Sequence, residues 1–255
     1  MLKKQKLFIN WHETYYINLE NKQSKWTFLI LHWWWWKSDS WYNIWLKLQE
    51  EWYNVIIPDL PWFWNTKIKE VFDLEKYTLF IEEFVNKLQL SNFYLFWHSN
   101  WWRISIKLAV RWIIKIKKLF LNNSAWINNK PSVKNIIFKK LSLLFKPFLK
   151  FKFFKKFRIY FYKLIWGHDY LNCDNNYIKQ TFLNIIKTNL IFDLSKINIP
   201  TILIWWEKDT YTKLKDWKIM HEKIQKSKLI IIKKAKHWIH LQNPDKLFST
   251  IINNI

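Results

Sequence analysis

Apolar residues come in short runs that alternate with longer segments of helical spacing. "KLFIN" and "TYYINLE" read as two strands of an opening hairpin. Trp26 to His32, "WTFLILH", is an almost unbroken apolar run, as expected of a strand buried on both faces. From about Asp39 to Glu51 the apolar positions shift to steps of three and four, at Trp41, Ile44, Trp45 and Leu48, which predicts a helix. "NVIIPD" is the next strand, and "LEKYTLFIEEFVNKLQL" an amphipathic helix. "NFYLFWH" is a strand, Trp101 to Trp112 a helix, and "KKLFLNNS" a strand. The pattern resumes with the strand "IPTILIWW", a helix near Lys213 to Ile224 and the strand "KLIIIKKA". "NPDKLFSTIINNI" closes the chain as a helix, with Pro244 suited to its first turn.

Short apolar strands alternating with helices predict an α/β fold: a mainly parallel, doubly wound sheet covered on both faces. Residues 128–195 break the alternation and read as helices, with Pro147 interrupting the first. They are expected to form an inserted helical cap on a core made of residues 1–127 and 196–255. A chain of 255 residues, half of them apolar, suits one such domain.

Composition changes this picture in one respect. Ordinary usage gives about 18 glycines in a chain of this length; here there is one, Gly167, against 21 Trp. Tight turns and left-handed helix caps need positive φ, which glycine supplies at least cost. Many of these Trp therefore read as glycines, encoded by UGA in a lineage that reads that codon as glycine. The dominance of Lys, Asn, Ile, Phe and Tyr, residues of A/T-rich codons, agrees. The same codon bias accounts for much of the net charge of +23, and acids and bases intermingle along most of the chain. The exception is Ile127 to His168, which has no acid. Cys173 is alone, which excludes a disulfide framework and a cysteine metal cluster. The start, "MLKKQKLFINWHETYY", lacks a long apolar segment and a small-residue cleavage site, and no apolar run is long enough to span a membrane. A cytoplasmic location is the expectation.

The stretch "LFWHSNWWRIS", Leu95 to Ser105, carries the chemistry. A strand meets a helix at Ser99. A nucleophilic serine must project its Oγ from a sharp turn, and the residues two before and two after it lie close to neighbouring backbone. Trp97 and Trp101 hold those positions, where glycine fits and an indole does not. Three further strand ends show the same substitution. "LHWWWW" becomes L-H-G-W-G-G, "PDLPWFW" becomes P-D-L-P-G-F-G, and "IWWEKDT" becomes I-W-G-E-K-D-T. "KHWIHLQNPD" follows the last strand. With glycine at these Trp, the whole chain resembles the α/β-hydrolase family, in its serine-nucleophile branch.

The resemblance implies a Ser-His-Asp triad in the family's chain order: Ser99, Asp209, His237. Serine needs a base held against it. Of the seven His, His237 and His240 lie in the loop after the last strand, and the resemblance places the base at the first. Lys236 stands where the family commonly has glycine. His98 neighbours the nucleophile in sequence but points elsewhere in this family. His32 supports the loop after the third strand, and His12, His168 and His221 read as ordinary residues. The acid that orients the base is Asp209, with Glu207 the fallback; the alternative family position, "LNNSA", offers no carboxylate. Asp59 reads as a structural turn residue. Two backbone N–H groups, of Asn100 and Trp34, would form the oxyanion hole. Trp34, Trp41 and Trp205 sit where the family tolerates tryptophan. No metal-binding or phosphate-cradling motif occurs, so neither metal nor cofactor is expected.

Residues 136–165 of the cap are aromatic, aliphatic and cationic. They suit a lid over an apolar acyl or aromatic small-molecule substrate, an amphipathic contact with a membrane surface, or a cap packed on the core with its lysines solvated. The expected activity is hydrolysis of an ester, thioester or related carbonyl compound through an acyl-enzyme. Serine at the elbow argues against the aspartate-dependent dehalogenase and epoxide hydrolase branches; carbon–carbon bond hydrolase and aminopeptidase activities stay open. The competing class is a non-enzymatic, basic and aromatic binding module for a membrane surface or single-stranded nucleic acid. It requires the Trp to be genuine, and nucleic acid is not the expected partner.

Overall fold

The computed structural model describes residues 4–24, 26–31, 41–63, 65–98, 102–111, 113–123, 173, 175–209, 212–236 and 239–255. Eight strands form one sheet in the order β1-β2-β4-β3-β5-β6-β7-β8. They are β1 Gln5–Ile9, β2 His12–Leu19, β3 Trp26–Leu31, β4 Tyr53–Pro58, β5 Phe93–His98, β6 Ile116–Asn122, β7 Thr201–Trp206 and β8 Ser227–Ile232. β2 runs antiparallel to β1 and β4; β3 to β8 are parallel. Every strand read from the apolar runs is present.

Alternation along these strands divides the core in two. Leu29, Leu31, Leu95, Trp97, Leu119, Leu121 and Leu203 face one cluster. There they meet α2 (Leu74–Lys87) and α3 (Trp102–Arg111). Phe28, Ile30, Tyr94, Phe96, Phe120, Ile202 and Ile204 face the other, which includes α1 (Tyr42–Glu50). Both faces are thus buried by helices, and this is why the strands read as continuous apolar runs. Asp73 caps α2 by accepting from the Lys76 backbone N–H at 2.8 Å.

The segment foreseen as a cap is described only in part, and 136–165 lie outside the described residues. Its described elements are α4 (Asn176–Lys187) and α5 (Ile191–Leu194). Ile178, Phe182, Ile185 and Leu194 join the first core cluster. The Thr181 hydroxyl accepts from the buried backbone N–H of Phe72 at 2.8 Å, so α4 is fastened to the loop before α2. The chain then adds α6 (Leu214–Lys223), a short α7 (Ile239–Gln242) and α8 (Pro244–Ile252). Among the described residues no helix is long and apolar enough to cross a membrane.

Three turns bear on the glycine deficit. Asn10 and Trp11 form the two-residue loop between β1 and β2, both with positive φ, 45° and 68°. This is the hairpin turn that favours Asn-Gly. Trp52 has φ 68° just after the C-cap of α1, with its N–H donating to the Gln49 carbonyl at 3.1 Å. That is the left-handed position at which helices commonly end on glycine. Trp62 has φ 78°, follows Pro61, and lies in a turn closed by the Phe63 N–H donating to the Leu60 carbonyl at 2.9 Å. Proline followed by a residue with positive φ is the type II pattern, again a glycine position.

Asp216, in the first turn of α6, is buried, and this burial raises its carboxyl above the ordinary 3.8, with Lys215 and Lys213 opposing. A raised folded-state value means the folded chain binds the proton better. The resulting stability is present below the ordinary value and is lost as pH rises through the raised one. Asp216→Asn therefore flattens the pH dependence, and its advantage over the parent in urea midpoint should grow from pH 3 to pH 7. A constant difference would show that burial of the charge is not the cause.

Candidate active site

Strand order selects one end of the sheet. β4 lies on one side of β3 and β5 on the other, so the chain reverses direction across β3. In parallel sheets such a reversal opens a crevice at the carboxyl ends of the two strands. In sequence Ser99 and Asn100 directly follow β5, and Trp34 lies in the loop after β3. His237 follows β8. Ser99, Asn100, Trp34 and His237 themselves lie outside the described residues. Asp209 is described, in the turn after β7.

Asp209 is buried and firmly held. Its backbone N–H donates to the Trp206 carbonyl at 2.9 Å. Thr212 gives the carboxylate two donors, its backbone N–H to Oδ1 at 3.2 Å and its hydroxyl to Oδ2 at 2.9 Å. The Thr212 hydroxyl in turn accepts from the Trp205 indole N–H at 3.2 Å. The Asn123 side chain, reaching from the end of β6, donates to Oδ2 as well. These donors fix the direction of the carboxylate. Glu207, the fallback acid, is engaged elsewhere: its Oε2 accepts from the Lys234 backbone N–H at 2.8 Å, in the turn after β8.

A second group lies at the end of β5. His98, the last residue of β5, is buried between Trp41, Trp206 and His240. The His240 ring lies flat on the Trp41 indole, 4.3 Å between centroids and 2° between planes. The His98 and His240 centroids are 5.2 Å apart. His240, in α7, thus packs against the end of β5. His98 is turned into this cluster. His12 pairs with Glu70 at 3.1 Å, and His221 with the Ser227 hydroxyl at 2.9 Å, as ordinary satisfied residues. Asp59 is wholly buried and paired with Lys4 at 2.5 Å, a structural role.

Trp41 and Trp205 make specific contacts through their indoles. Trp97 is fully buried and its indole N–H has no hydrogen-bond partner among the described residues, a feature it shares with Trp45 and Trp217.

Sequence reading missed Thr212 and Asn123. Thr212 had a signal: an aspartate three residues before a threonine forms a local cap. Asn123 lies within "LNNSA", where an amide carries no local signal for binding a carboxylate from another strand end. Among the described residues no group of three or more His, Cys, Asp and Glu is placed to hold a metal ion.

No family profile matches the sequence, and no curated protein matches it. Solved structures do. A bromoperoxidase from Bacillus anthracis is 19% identical, with a TM-score of 0.74 over 98% of this chain and 99% of that one. An esterase from Exiguobacterium antarcticum is 17% identical, with a TM-score of 0.72 over 95% of each. An α/β hydrolase enzyme from the metagenome of sediments of the Mar Chica lagoon, Morocco, is 17% identical, with a TM-score of 0.66 over 94% of this chain and 93% of that one. With its strand order, its helices on both faces and a likeness spanning nearly the whole chain, the protein has the α/β-hydrolase fold.

Proposed function

We propose that the protein is a serine hydrolase acting on an ester, thioester or related carbonyl compound. The observation that carries this is the seat of Asp209: a buried carboxylate gripped by three neutral donors at the carboxyl end of the sheet. Such a carboxylate is held in a fixed direction, as the third member of a triad must be. In this reading Ser99 Oγ attacks the carbonyl carbon and gives its proton to the His237 imidazole. Asp209 stabilises the resulting imidazolium. The oxyanion rests on the Asn100 and Trp34 backbone N–H groups. Collapse expels the alcohol or thiol with the proton from His237 and leaves an acyl-Ser99. Water, deprotonated by His237, attacks the acyl carbon; the acid departs and the Ser99 hydroxyl regains its proton. The core packing of His240 against Trp41 favours His237 as the base. The aromatic and aliphatic cap suits a small apolar acyl or aromatic substrate.

The reading includes glycine at Trp33, Trp35, Trp36, Trp62, Trp64, Trp97, Trp101, Trp102 and Trp206. The positive φ of Trp11 and Trp52 adds these two. The chain with glycine at all of these positions is called the glycine form below. UGA codons there, and an intact mass of the native protein that fits glycine, are the expected findings; UGG codons at Trp62, Trp97 and Trp101 would sink the idea.

A fluorophosphonate probe tests the hydrolase reading. The glycine form should be labelled at Ser99, and Ser99→Ala should lose the label. Absence of labelling together with salt-dependent binding of single-stranded nucleic acid would favour the basic binding module instead.

A further inference from the structure

We propose that Asn123 is a positioning residue for the acid of this site, setting the direction in which Asp209 faces its base. The proposal rests on the hydrolase reading above. Asn123 is fully buried and held at three points. Its backbone N–H donates to the Ile204 carbonyl at 3.0 Å. Its side-chain Oδ1 accepts from the Trp206 backbone N–H at 3.1 Å. Its Nδ2 donates to Asp209 Oδ2. The Trp206 N–H can only be met by an acceptor, so the amide cannot flip, and its donor must face the carboxylate.

Thr212 also holds Asp209, but from the same loop, three residues on. Among the described residues Asn123 is the side-chain donor that reaches Asp209 from another strand end. Its neighbour Asn122 is the register partner of His98, the residue before Ser99. The β6 end therefore lies between the nucleophile strand and the acid, and Asn123 spans that gap. The residue type fits the task. Asn123 has φ 44°, a left-handed conformation that asparagine tolerates. An aspartate of the same shape would keep the acceptor for Trp206 but turn the donor into a second carboxylate oxygen.

The test uses the full glycine form and hydrolysis of a p-nitrophenyl ester. Asn123→Gly keeps the left-handed backbone and deletes the amide. It should lower kcat by roughly 10–100-fold with KM nearly unchanged. A less well-oriented carboxylate stabilises the imidazolium less, so the acid limb of the kcat/KM profile should move to lower pH. In an Asp209→Asn background the same change should alter kcat by less than about 3-fold, because the group it acts through is already gone. If Asn123→Gly fails to fold, Asn123→Ser serves in its place, since it shortens the side chain without adding a carboxylate; it too should lower kcat, and should do so far less in the Asp209→Asn background. Equal losses in both backgrounds, or an unchanged kcat, would overturn the proposal while leaving the hydrolase reading intact. An unlabelled parent glycine form, tested with the fluorophosphonate probe, would overturn both.

Discussion

Ser99→Ala in the glycine form is expected to abolish fluorophosphonate labelling and to lower ester hydrolysis by roughly 10⁶-fold in kcat, and Asp209→Asn to lower it by roughly 10⁴-fold. The two losses should not multiply: the double variant should be no slower than Ser99→Ala alone, because triad members act as a unit. The expectation for Asp209 follows from its surroundings. An asparagine there would face the Asn123 amide and the Thr212 hydroxyl and N–H, which all donate to the present carboxylate. Its carbonyl oxygen can satisfy only part of that set, and its NH₂ would oppose a donor. The base would then lose both its charge partner and the acceptor that selects its tautomer. Steady-state kinetics on a chromogenic ester, with circular dichroism to show that folding is intact, decides the matter. If Asp209→Asn stays within 10-fold of the parent while Glu207→Gln collapses, the acid is Glu207. Its present engagement with the Lys234 backbone N–H argues against that outcome.

The course of the chain was legible because its two periodicities are clean. Along β3 and β7 nearly every residue is apolar, and both faces of these strands are buried. In α2 the apolar steps of three and four coincide with the buried Tyr77, Phe80, Ile81, Phe84 and Val85. In the candidate site the sequence marked positions after strand ends; of these Asp209 is among the described residues, in the turn after β7. What stayed hidden depends on side chains that meet across strands. The Asn123 amide gains its meaning only from the Trp206 N–H and the Asp209 carboxylate, both more than 80 residues away. The flat contact of His240 with Trp41 joins residues 199 positions apart. No local pattern announces such a pairing. The Trp at turns lie between these cases: Asn10–Trp11 reads as an Asn-Gly hairpin turn once the backbone shows positive φ at both residues.

That backbone leads to the second large effect. The chain with all its Trp is expected to show no labelling and no esterase activity, and the glycine form to show both. The difference arises at the elbow. Trp97 stands two residues before Ser99 with its whole indole inside the core and its N–H without a partner among the described residues. In the proposed reading the residue two before the serine must be small, and a bulky side chain there costs stability and geometry together. The turn positions can be tested separately, because they lie far in sequence from the elbow. Trp11 and Trp52 are exposed, 96% and 57%, so glycine there removes little packing. A left-handed conformation costs a residue with Cβ about 1–2 kcal/mol, and glycine's extra unfolded-state freedom offsets about 0.4–1 kcal/mol of the gain. Trp11→Gly and Trp52→Gly should therefore each stabilise the fold by roughly 0.5–1 kcal/mol, read as a higher urea midpoint at unchanged slope. Trp62→Gly should come out nearly neutral. Its indole N–H donates to the Glu70 carbonyl at 2.9 Å and its ring stacks on Tyr177, and losing these contacts cancels the relief of a φ of 78°. Full esterase activity in the all-Trp chain would refute the account of the elbow. Destabilisation by Trp11→Gly and Trp52→Gly would refute the account of the turns.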